Sequence, residues 1–184
     1  MEQDQSFTAF LGGTLIASGP LERMLTGVKP RFDDDPGAPI VIFEDETGRH
    51  VDFDLRGSLS EVVARTARPT PRTGPGRPKL GVVAREISLL PRHWEWLEQQ
   101  SNGASAAIRR LVEEARKRDP EEERRRLAVE ATSRVVSALA GNLPNYEEAT
   151  RALFARNWAR FGELIAGWPK DIKEYAQRLA DRAA

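Results

Sequence analysis

The chain has 184 residues, 40% hydrophobic and 30% charged, a length and composition that allow one or two small globular domains. Its 28 basic and 28 acidic residues cancel, no apolar run is long enough to cross a bilayer, and no charged-then-apolar leader is present. Cysteine is absent and the two histidines, His50 and His93, are isolated. Disulfides, thiolate chemistry and a histidine-based zinc site are therefore excluded, and the expectation is a cytoplasmic protein with no membrane contact, metal or cofactor.

The charge is unevenly spread. Residues 1–64 carry five basic against twelve acidic residues, a net of −7, whereas residues 65–120 carry twelve against six, a net of +6. Residues 121–184 are nearly balanced, eleven against ten. Segments this different in charge suit different partners.

Residues 1–67 read as a small acidic α+β domain. Phe7–Leu11 and Thr14–Ala17 flank Gly12–Gly13, a two-residue hairpin signal. Leu21, Met24 and Leu25 give a short helix its apolar face, and Pro30–Pro39 with Asp33, Asp34 and Asp35 reads as a polar loop. A second hairpin is expected from Ile40–Phe43 and the alternating Val51, Phe53 and Leu55, turning at Asp45–Gly48. Ser58 and Glu61 form a capping box that opens a helix running to about Ala67.

Residues 68–80 read as a linker. Pro69, Pro71, Pro75 and Pro78 with Gly74 and Gly76 prevent a helix or a central strand. Between Glu61 and Glu86 no acidic residue occurs, while Arg65, Arg68, Arg72, Arg77, Lys79 and Arg85 are all basic, a candidate set of phosphate contacts. The bland alternative is a proline-stiffened, solvated spacer.

Residues 81–118 follow the order strand, short helix, glycine turn, helix. Val82–Leu90 is apolar and favours a strand, and Pro91 opens a helix with Trp94 and Leu97 one turn apart. After Asn102–Gly103, Ser105 is the expected N-cap of a helix whose Ile108, Leu111, Val112 and Ala115 share a face. So small a unit cannot close its own core and should pair with something.

Residues 119–184 read as a helical layer. Asp119, Pro120 and Glu122 start one helix, whose stripe is Leu127, Ala131, Val135 and Leu139 and whose end is Gly141. Asn145 and Glu148 start a second, with Phe154, Trp158, Phe161 and Ile165 at helical spacing. Gly167–Trp168–Pro169 is a stop and restart, and Ile172, Tyr175 and Leu179 face inward from the last helix. The fold class is thus α+β: a small sheet domain, a basic linker, a strand-and-two-helix unit and a helical layer.

Across Arg85–Lys117 the strand ending at Leu90–Pro91, the Gly103–Ala104–Ser105 turn and Ala107–Val112 resemble the ribbon-helix-helix superfamily of DNA-binding proteins. That resemblance implies a homodimer whose strands pair across the twofold axis, here through Val83, Ile87 and Leu89. It also implies a phosphate clamp at Ser105 and the Ala106 backbone, flanked by Arg109 and Arg110, on double-stranded DNA. Neither strand frame is a typical set of polar base readers: one presents Arg85, Ile87 and Leu89, the other Glu86 and Ser88. The strand is therefore expected to dimerise, leaving DNA contact to the basic arm. Within that arm Gly76–Arg77–Pro78–Lys79 resembles the centre of an AT-hook, which implies an arginine lying along a narrow minor groove.

The chain as a whole resembles an uncharacterised bacterial family, domain of unknown function 2239, through Val51–Gly57, Gly76–Trp96 and Phe161–Ala180. The resemblance implies a shared three-part architecture and no particular reaction. Two other readings remain beside the DNA-binding dimer. One is a protein–protein interaction module whose acidic head meets a basic arm. The other is an enzyme or cation site on Asp52, Asp54 and Arg56, although no nucleophile elbow, phosphate loop or triad order occurs.

Overall fold

The computed structural model describes residues 5–66 and 85–184. Two compact units emerge, one built from residues 1–68 together with 124–184, the other from residues 69–123. The head and the tail of the chain, read above as separate segments, close one core between them.

The first unit is organised on a three-stranded antiparallel sheet of order β2-β1-β3. β1 (Ser6–Leu11) and β2 (Thr14–Pro20) turn at Gly12–Gly13 as expected, with Leu11 opposite Thr14 and Gly12 at φ +59°. β3 (Ile40–Glu44) pairs with the other edge of β1, so β1 is central. A central strand covered on both faces reads as a continuous apolar run, and Phe7–Phe10 is buried without interruption. Phe7, Ala9 and Ile42 face one core with Met24, Leu25, Val28, Leu55 and Val62. Phe10 and Phe43 face the other, against the tail.

Helix α1 (Leu21–Asp34) runs through the stretch read as a loop from Pro30. Proline costs the helix one hydrogen bond. The buried Val28 before it, the half-buried Phe32 after it and the Lys29–Asp33 ion pair hold the last turn in helical register. The second hairpin does not form as a ladder. An isolated Phe43–His50 bridge forms, flanked by hydrogen bonds from Glu44 N to Arg49 O at 3.0 Å and from Val51 N to Ile42 O at 2.9 Å, and residues 51–56 then run without regular structure. Their alternation survives the loss of pairing: Val51, Phe53 and Leu55 pack inward while Asp52, Asp54 and Arg56 are exposed. Phe53 meets Phe7 edge-on at 5.7 Å. Helix α2 (Leu59–Thr66) opens on the expected capping box, with the Ser58 amide donating to Glu61 Oε2 at 2.7 Å and the Glu61 amide to Ser58 Oγ at 3.4 Å.

The second unit holds α3 (Pro91–Glu98) and α4 (Gly103–Arg118). The tail then supplies α5 (Pro120–Ala140), α6 (Tyr146–Phe154), α7 (Trp158–Leu164) and α8 (Lys170–Ala180), closing with a 3₁₀ turn over Asp181–Ala183. Asp119 caps α5 by accepting the Glu122 amide at 2.9 Å. The inward face of α5 is Ala128, Ala131, Thr132, Val135 and Val136; Leu127, placed in that stripe from spacing, stands exposed.

The helix expected from Asn145 through Ile165 breaks into α6 and α7. Arg156 takes a left-handed conformation at φ +56°, and Asn157 caps α7 by accepting the Arg160 amide at 3.1 Å. The break turns Phe154 out to solvent while Phe161 and Ile165 stay buried. Trp168 is also buried, its indole N–H donating to Pro144 O at 2.8 Å.

Candidate functional site

In the second unit, packing stops short of closure. Among its described residues only Leu97 and Ala107 are buried, whereas Ile87, Leu90, Trp96, Leu111 and Val112 expose between 41% and 51% of their surface. Ile87, Leu89, Trp96, Leu97, Ile108 and Leu111 line an open apolar groove of about 330 Å³ between the two helices and the segment that precedes them. Apolar side chains gathered in this way are the mark of an interaction surface.

Residues 85–90 make no strand within the chain, and residues 85–89 form no backbone hydrogen bond to another described residue. The strand read over Val82–Leu90 is thus absent from its described part. A ribbon of this kind needs a second edge, and no described residue supplies one to residues 85–89. Ile87 and Leu89, named for dimerisation, both reach the groove; Val83 lies outside the described residues.

Of the basic residues proposed for phosphate contact, Arg65, Arg85, Arg109 and Arg110 are among the described residues. Arg68, Arg72, Arg77 and Lys79 lie outside the described residues. Arg65 is spent on local structure in the first unit: its Nη2 donates to Asp54 O at 2.9 Å and to Arg56 O, bracing the loop beneath α2. Arg85 is exposed. Ser105 is not an N-cap, because α4 begins two residues earlier at Gly103, with Asn102 in the cap position. Gly103 takes φ +72° there, a conformation that glycine adopts without penalty, so the helix can start before the serine. Ser105 sits exposed in the first turn instead. Arg110 pairs with Glu114 at 3.7 Å and reaches Gln100 at 3.4 Å, while Arg109 is exposed and has no ion-pair partner among the described residues.

The acidic strip of the head is resolved into pairs. Arg56 grips Asp54 with two hydrogen bonds, Nε to Oδ1 at 2.8 Å and Nη2 to Oδ2 at 3.1 Å. Those side-chain bonds, joined by the Arg56 amide, hold the Asp54 carboxyl down at about 2.

A second constellation has no counterpart in the sequence reading. Asp45, in the turn after β3, accepts hydrogen bonds from Thr8 at 2.7 Å and Tyr175 at 2.8 Å on one oxygen and from Ser6 on the other. Arg178 donates to Thr8 Oγ1 at 3.2 Å and lies over the Tyr175 ring at 5.0 Å. Arg182 donates to the Asp45 carbonyl at 2.6 Å. Burial pushes the Tyr175 hydroxyl far above its ordinary range, and the Asp45 charge pushes it the same way. This network ties the head to the last helix. Residues 130 apart carry no spacing signal, and Asp45 reads in sequence as an ordinary turn residue.

The fold and these surfaces define a mixed α+β protein with one closed unit and one open, apolar-faced unit. More particularly, residues 6–180 match the family described as "Uncharacterized protein conserved in bacteria (DUF2239)", and the chain belongs to that family. Neither a curated protein nor a solved structure matches the chain. No helix among the described residues is long and apolar enough to cross a membrane.

Proposed function

We propose that residues 85–118 are a self-association unit, and that the resulting homodimer binds double-stranded DNA through its basic arms. The observation that carries the reading is the open groove of Ile87, Leu89, Trp96 and Leu111 beside residues 85–89, which have no backbone hydrogen-bond partner among the described residues. A second copy is the occupant that serves both features at once. Its own residues 85–90 supply the missing edge, and its own apolar face covers the groove, under one twofold axis. DNA is supported by the acid-free run from Val62 to Arg85, duplicated in a dimer, and by Arg109, which has no ion-pair partner among the described residues.

The test is light scattering and duplex anisotropy on the full chain. A dimer is expected, with DNA affinity falling steeply between low and high salt. Leu111→Asp should convert the dimer to a monomer while leaving the melting of the monomer nearly unchanged, because Leu111 is exposed. A wild-type monomer at micromolar concentration would overturn the self-association. A dimer that ignores DNA at low salt would leave an interaction module without nucleic acid.

A further inference from the structure

The closed unit has a cleft of about 520 Å³ beside the Asp45 network, lined by Arg178 and Arg182 together with Leu127, Ala128 and Leu179. Asp45, Glu46 and Arg124 line it as well. The Asp45 carboxylate is already occupied by the hydroxyls of Ser6, Thr8 and Tyr175. The two arginines spend one bond each, on a threonine hydroxyl and on a backbone carbonyl. Neither is within ion-pair distance of a carboxylate among the described residues, and both are exposed.

Arg178 and Arg182 are four residues apart, so they sit one turn above the other and repel. An anion between them turns that repulsion into attraction. Planar guanidinium forks suit carboxylate and phosphate groups, which accept two parallel bonds. In the same cleft Leu127 leaves 44% of its surface in water, an apolar surface of the kind that covers the body of a small organic ligand.

We propose that this cleft binds a small organic anion. Its carboxylate or phosphate group lies between Arg178 and Arg182, and its apolar body lies on Leu127. None of its lining residues lines the groove of the self-association unit.

Titration calorimetry of the full chain with phenyl phosphate, benzoate and inorganic phosphate, at constant ionic strength, tests the proposal. Saturable one-to-one binding of at least one aromatic probe is expected, and the stronger of the two identifies the preferred head group. Arg178→Gln and Arg182→Gln should each weaken it by roughly tenfold or more, since a hydrogen bond to a charged group is lost. Leu127→Asn should weaken the aromatic probe but leave inorganic phosphate unchanged. Arg178→Lys, which keeps the charge and loses the fork, should fall between wild type and Gln. Circular dichroism on each variant confirms that the fold persists. Absence of saturable binding at millimolar probe, or equal affinity in folded Arg178→Gln and Arg182→Gln, would overturn the site. Neither result bears on the oligomeric state, which reads the dimer separately.

Discussion

The two units of this chain solve the same problem to different degrees. In the closed unit Phe10, Phe43 and Tyr175 form an aromatic cluster, Phe10 to Tyr175 at 5.4 Å and Phe43 to Tyr175 at 6.3 Å, and each ring is fully buried. Among the described residues of the open unit no side chain larger than Leu97 is buried, and Trp96 is nearly half exposed. Both carry amphipathic helices, and the difference lies in what meets their apolar faces. The closed unit brings a sheet from the head against helices from the tail. The open unit has two helices and an unpaired segment, too little surface to bury its own hydrophobes. Hydrophobic patterning therefore specifies a face, while closure depends on whether the chain supplies an opposite face.

Substitutions can break the closed unit without touching the open one. The largest effect is expected at Gly48. It holds φ +64°, and a Cβ there would stand 2.2 Å from Ala131 O of α5, so helix and turn approach as backbone against backbone. Gly48→Ala should cost about 4 kcal/mol or more, in the class of changes that unfold a small domain. Chemical denaturation should show the loss, together with exposure of Trp168. A variant melting like wild type would remove this contact from the account.

A smaller effect is expected at the Asp45 network. Tyr175→Phe keeps the ring and removes one of three donors to a part-buried carboxylate, a loss of about 1–2 kcal/mol. The same hydroxyl sets an alkaline limit. Its pKa is raised on folding, so the stability it contributes is complete below the ordinary tyrosine value and declines as pH rises above it. Tyr175→Phe should remove that alkaline decline, as read by melting temperature against pH. An unchanged pH profile would assign the decline to other groups.

The smallest effect is expected at Asp54. Its folded pKa, about 2, lies below the unfolded value of 3.8, so its contribution is present above that value and fades only as pH falls toward 2. The pair is fully solvated, and Asp54→Asn should leave the neutral-pH melting temperature within measurement error. A carbon-13 titration of the Asp54 carboxyl should give a midpoint near 2, and one near 3.8 would mean that Arg56 does not hold it in solution.

Much of the fold was legible in local sequence. Gly12–Gly13 marked the first hairpin, Ser58 with Glu61 marked α2, and Asp119–Pro120 marked α5, because each signal acts within four residues. The open unit's incompleteness was legible too, from size alone. Errors came where tertiary packing overruled a local rule. Pro30 reads as a helix breaker, yet Phe32 packs on the core and carries α1 past it. Asn157 was hidden inside a good apolar period and proved to be a cap. Ser105 has the better N-cap side chain, and Gly103 took the helix start because its backbone could turn left-handed. The Asp45 network was invisible for a different reason. Its members come from β1, the turn after β3 and α8, and only the completed fold brings them together.

Building one core from both ends of the chain also fixes the order in which it can form during synthesis. The face of the sheet that carries Phe10 and Phe43 begins to be covered when α5 is made and is not fully covered until Tyr175 follows, over 130 residues after Phe43. At ribosomal speeds of about 5–20 residues per second, that leaves the face incompletely covered for roughly ten seconds. During that interval the nascent chain presents an incompletely covered apolar sheet, the kind of surface that chaperones hold. The last helix is therefore the release signal for folding as much as it is a structural layer.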